Sequence, residues 1–171
     1  NTGTEYNMRR KFDEALFKII QNKRVDNKAY FTQDEYNEQI NLVKISKEIL
    51  KTPGTKRTVK DYRRVRKYDV ITINGRERLI RPVVENITEN VLHYVTNDEL
   101  FDILHRTHSS ISHGGRNRMV SELKKIFCNV TKEAVMIYLS LCGVCQKKSS
   151  CLKKETNLFC IQVLTLVLRS I

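Results

Sequence analysis

The apolar positions of this chain fall into a few stretches of clear period. Phe12, Ala15, Leu16, Ile19 and Ile20 recur at helical spacing, so residues 10–21 predict an amphipathic helix with charge around the rest of its circumference. Thr32 and Glu35 form a capping box, with Phe31 and Tyr36 placed as a hydrophobic staple, and a second helix is predicted over 33–51, stopped by Pro53-Gly54. The pattern then turns β-branched on either side of Asn74-Gly75, which predicts strands at 68–73 and 76–81. Asn-Gly suits the two positive φ angles of a type I′ turn. Pro82 and the polar residues Glu85 to Asn90 read as a linker or a short helix.

Helical spacing returns at Asn97. Thr96 with Glu99 makes another capping box, and Leu100, Ile103, Leu104 and Thr107 share a face. Gly114-Gly115 breaks the chain, after which Met119, Val120, Leu123, Ile126 and Phe127 mark the stripe of a further helix. Thr131 is a cap for the last one, whose Val135, Tyr138, Leu139 and Cys142 lie on one side. The tail after Lys148 has no clear period. The expected fold is mainly α, an α+β chain of N-terminal helices, a small β-hairpin extension and a three-helix bundle.

Composition changes this picture in one respect. At 171 residues, 40% hydrophobic and 29% charged, the chain can build an ordinary globular core, but Lys and Arg outnumber Asp and Glu by 31 to 19. The resulting formal charge of +12 favours polyanionic partners through salt-dependent attraction. The chain begins at Asn1 without a signal-peptide pattern, and the apolar run Leu158 to Leu168 is shorter than the roughly 20 residues a bilayer demands. A nuclear or cytoplasmic protein is therefore expected, neither secreted nor membrane-bound.

Five cysteines are an odd number, and two of them form a Cys-x-x-Cys pair, which favours metal ligation over a disulfide framework. A tetrahedral zinc site needs four nitrogen or sulfur donors, most simply supplied as two close pairs on separate turns. His108 and His113 are one pair, Cys142 and Cys145 the other, with two predicted helices between them. A metal held there clips one helix end to another, and structural zinc contributes about 10–16 kcal/mol to small domains. The competing readings are a redox pair, which lacks a thioredoxin-like strand pattern before it, and substitution of His105 for His108, which lies nearer the helix end. His93, Cys128, Cys151 and Cys160 have no close partner and receive no role.

The stretch "LFDILHRTHSSISHGGRNRMVSELKKIFCNVTKEAVMIYLSLCGVCQKK" resembles the His-His-Cys-Cys zinc-binding domain of retroviral and Gypsy-type retrotransposon integrases. The wording is nearest to host proteins and transposons derived from such integrases. The resemblance runs from the His pair through the turn Ser112-His113-Gly114-Gly115 to the closing Cys142-Gly143-Val144-Cys145-Gln146, and covers about residues 97–148. It implies a zinc-binding domain over 91–148, preceded by a helical region over 1–55 and a basic hairpin extension with linker over 56–90. It departs from a complete integrase after that: an integrase core holds two metal ions on three acidic residues, whereas no Asp or Glu follows Glu155. The 149–171 tail is thus expected to lack the catalytic core, so that no enzymatic activity and no small-molecule substrate are expected, and the chain is read as a fragment or a degenerate copy.

The family's zinc domain binds DNA ends and assembles subunits, so DNA is the expected partner and a homo-oligomer a second one. Candidate phosphate contacts are Lys56, Arg57, Lys60, Arg63, Arg64, Arg66 and Lys67 in the extension, which also resemble a nuclear import signal. Arg116, Arg118, Lys124 and Lys125 on the helix after the glycine turn, and Lys147 and Lys148 after the last cysteine, complete the set.

Overall fold

A computed structural model describes residues 2–23, 29–83 and 90–147; the expected linker helix at 85–90 and the 149–171 tail lie wholly or mostly outside the described residues. The chain is mainly helical with one small hairpin. Its elements are α1 (Thr2–Gln21), α2 (Gln33–Lys51), α3 (Val59–Lys67), β1 (Asp69–Ile73), β2 (Arg76–Ile80), α4 (Asn97–Ser110), α5 (Arg116–Lys124) and α6 (Lys132–Leu141). No described helix is long and apolar enough to cross a membrane.

Local signals placed most of these ends. At Thr32 the hydroxyl accepts from the Glu35 amide, the Glu35 carboxylate accepts from the Thr32 amide at 2.9 Å, and the Phe31 and Tyr36 rings meet edge to face at 6.3 Å. β1 and β2 pair antiparallel, from Asp69 opposite Ile80 to Ile73 opposite Arg76. The turn residues Asn74 and Gly75 have φ of 51° and 75°, the left-handed values expected of this dipeptide.

Three readings need correction. α1 starts at Thr2 rather than near residue 10, because Met8 continues the apolar face that packs on the core. Part of the basic run before the hairpin forms α3, capped by Thr58 and Asp61. Its inward face is polar, so no apolar period announces it: Ser46 of α2 donates to Asp61 at 2.9 Å, and Arg64 donates to Ser46 at 2.8 Å. α5 stops at Lys124, before Ile126 and Phe127, because the chain leaves the helix to pair with His93. The His93 amide donates to Ile126 and the Cys128 amide donates to His93, at 2.8 and 2.9 Å. His93 also bridges Ile80, so this residue stitches the hairpin to the helices.

Among the described residues two cores result, and they do not follow the order of the chain. One gathers α4, α5 and α6 with the distant α1, whose Phe12 ring lies 5.6 Å from Phe101 and 6.5 Å from Tyr138. The other joins α2, α3 and the hairpin around Phe31, Tyr36, Tyr68 and Tyr94. In it the Leu79 amide donates to the Tyr36 hydroxyl at 2.8 Å, fastening the sheet to α2.

Candidate metal centre

The two donor pairs predicted from sequence meet. His108, His113, Cys142 and Cys145 each offer one ligand atom, and the four atoms lie within 4.8 Å of one another. His108 Nε2 and Cys145 Sγ are 3.2 Å apart, and His113 Nδ1 and Cys142 Sγ 3.5 Å. A tetrahedron with metal–ligand bonds of 2.0–2.3 Å has edges of about 3.6 Å, so these two separations already match ligands around one ion. The imidazoles stand perpendicular with centroids 4.7 Å apart, which lets both nitrogens aim at a common point without ring overlap.

Each pair is aimed by a helix end. α4 closes with a Schellman arrangement: the Ser112 amide donates to Ser109, and the His113 amide donates to the His108 carbonyl at 3.0 Å. This ring of bonds fixes His113 beside His108. It also forces Ser112 and His113 to φ of 55° and 58°, a region that side chains other than glycine enter at a cost. Gly114 then folds tightly over the turn, where a Cβ would come within 3.0 Å of the Ile111 side chain. The second pair depends on α6, which Cys142 ends as C-cap. The Gln146 amide donates to the Cys142 carbonyl at 3.0 Å, curling the chain so that Cys145 returns to the site. The Gln146 side chain donates to Leu139 at 3.3 Å, tying that curl to the helix.

His105, the alternative ligand, faces elsewhere. Its Nδ1 lies 2.9 Å from the Tyr138 hydroxyl and its ring stacks on Phe101. Tyr138 in turn packs edge to face against the buried His108 ring at 5.4 Å. Burial, reinforced by the two cysteines, pushes the Tyr138 phenol above its usual range, so it stays neutral at this contact. Burial likewise raises Cys128, which lies apart from the cluster.

The candidate phosphate contacts divide into several groups. Lys56, Arg57, Lys60 and Arg63 are exposed at the start and outer side of α3. Arg64 turns inward to Ser46 and lies 3.7 Å from Asp61, so it holds α3 to α2. Arg66, Lys67 and Lys124, from distant parts of the sequence, line one cleft of about 840 Å³. Arg81 lines it too, a residue that sequence reading passed over because it looked like the last position of a strand. Arg116 and Arg118 flank a shallower groove beside Met136 of α6. Lys125 pairs with Glu122 at 2.7 Å, Lys147 is exposed, and Lys148 lies outside the described residues.

KRAB-A domain-containing protein 2 of Homo sapiens is 43% identical to this chain over 143 residues. The aligned part is 84% of this chain but 28% of that protein, so the chain spans less than a third of its relative's length. No family model matches the sequence, and no solved structure matches it.

Proposed function

We propose that this chain is a zinc-stabilised DNA-binding module of integrase descent, with no reaction of its own. The observation that carries the reading is the convergence of two imidazoles and two thiols between the ends of α4 and α6. Thiolate and imidazole together suit zinc, and four protein donors fill a tetrahedron, leaving no position for a reactive water. The metal is structural on this reading. The integrase descent rests on the order of motifs across about residues 97–148. DNA as partner rests on the charge of +12 and on the exposed cations of α3, α5 and the stretch after Cys145. The same basic run along α3 suits nuclear import.

The test joins metal analysis with binding. The purified chain should carry one zinc per molecule and bind duplex DNA with little sequence preference, its affinity falling steeply with salt. Zinc-free protein of native helicity, or no binding at low salt, would remove the proposal. A second reading is self-association through the bundle, favoured by Ile126, Met136 and Val144, each about half exposed. A dimer in sedimentation that ignores DNA would select it.

A further inference from the structure

The cleft between the two cores is lined by four cations, Lys67 among them lying over the Tyr68 ring. Arg66 and Lys67 come from the last turn of α3, Arg81 follows β2, and Lys124 ends α5. None of them is in an ion pair among the described residues. No described acidic side chain lines the cleft. The described acids within two residues of the lining are already engaged: Asp69 with Lys47, Glu122 with Lys125, and Glu133 with Lys23. Like charges gathered in a concave, partly apolar surface repel one another more than on an open face, and a bound anion relieves that repulsion. The rim adds a fifth positive contribution, because Thr131 caps the start of α6 there and the amide end of a helix carries positive potential.

We infer that this cleft is a phosphate seat, and that on the DNA reading above, on which the occupant's identity rests, it takes the sugar-phosphate backbone of duplex DNA. A volume of about 840 Å³ exceeds a single phosphate, so the cleft accepts a short run of backbone. Arginine supplies paired donors to a phosphate and lysine a point charge, a combination that holds backbone without reading bases. Arg66, Lys67 and Arg81 belong to the half of the molecule built on α2, α3 and the hairpin, while Lys124 belongs to the bundle that the metal closes. DNA lying in the cleft therefore joins the two cores across their junction, and contributes there what the metal contributes at the far end of the bundle.

The experiment uses the full, zinc-loaded chain and two probes: a duplex of about 20 base pairs followed by fluorescence anisotropy between about 50 and 200 mM salt, and inorganic tripolyphosphate followed by calorimetry. The cleft variant is Arg81→Gln with Lys124→Gln. The control, Lys11→Gln with Lys18→Gln, removes the same charge from the exposed side of α1. Thermal melts by circular dichroism establish that both remain folded. The cleft pair should lose about tenfold or more in DNA affinity relative to the control, with a salt slope shallower by about 2, and should lose tripolyphosphate binding. If the two pairs weaken DNA binding equally and tripolyphosphate ignores the cleft pair, the seat is overturned while DNA binding stands. If tripolyphosphate binds through the cleft and the duplex does not bind, the seat stands and the DNA reading falls. Failure of wild type to bind either probe removes both.

Discussion

Consider stripping the metal from the intact protein with a chelator. On the structural-zinc proposal the four candidate ligands join the end of α4 to the end of α6, and the bundle there also contains α5 and α1. Structural zinc contributes about 10–16 kcal/mol, as much as or more than the whole stability of an ordinary domain at about 5–15 kcal/mol. Without it this bundle should not persist. α1, α4, α5 and α6 hold 20, 14, 9 and 10 residues, against 19 and 9 in α2 and α3. Their melting should therefore remove about two thirds of the far-ultraviolet helical signal of these elements. α2, α3 and the hairpin keep their own aromatic core of Phe31, Tyr36, Tyr68 and Tyr94 and should retain the remainder. Cys142→Ser should reproduce the loss, and Cys128→Ser, outside the cluster, should not. The assay is circular dichroism paired with metal analysis of the same sample. Unchanged helicity in protein shown to be metal-free would refute the structural role of the site, and loss of all helicity would refute the independence of the second core.

Other consequences follow from single contacts. Phe12→Ala should cost about 3–5 kcal/mol and lower the chelator concentration at which the bundle unfolds, because Phe12 is fully buried between Phe101 and Tyr138; denaturant melts that leave the bundle untouched would show α1 to be dispensable. Ser112→Gly should stabilise by about 0.5–1 kcal/mol, since glycine takes the positive φ of the α4 closing turn freely, and a lower melting temperature would contradict that account. Hydrogen bonds from Thr58, then Ser46, hold the Asp61 carboxyl below its ordinary 3.8. A carboxyl lowered in the folded state stabilises above its unfolded pKa, so the deficit of Asp61→Asn should be full above about pH 4 and shrink as pH falls through the native value. A deficit independent of pH, followed by denaturant titration, would mean that Asp61 acts only through shape.

The distinction between what the sequence determined and what packing decided can be drawn residue by residue. Capping boxes, Asn-Gly and helical spacing are local devices, satisfied within four or five residues. They placed α2 from Gln33 to Lys51 and the hairpin turn at Asn74-Gly75 without reference to anything distant. The four candidate ligands were legible as two close pairs, His108 with His113 and Cys142 with Cys145, whose short spacing keeps each pair at one helix end; their meeting was not. α3 was not, because Asp61, Arg64 and Ser46 form its inner face and a polar contact leaves no hydrophobic period to read.

Tertiary structure decided three things. It placed His108 rather than His105, on the same helix, in the His/Cys cluster, by giving His105 to the Tyr138 hydroxyl and fixing His113 beside His108 through the α4 closing turn. It assigned α1 to the core of α4, α5 and α6, although about 75 residues separate the end of α1 from the start of α4. And it brought Arg81 and Lys124 to one cleft. Period and spacing report only on neighbours along the chain. Which charges are gathered without counterions depends on contacts between segments, and those exist only once the two cores have packed.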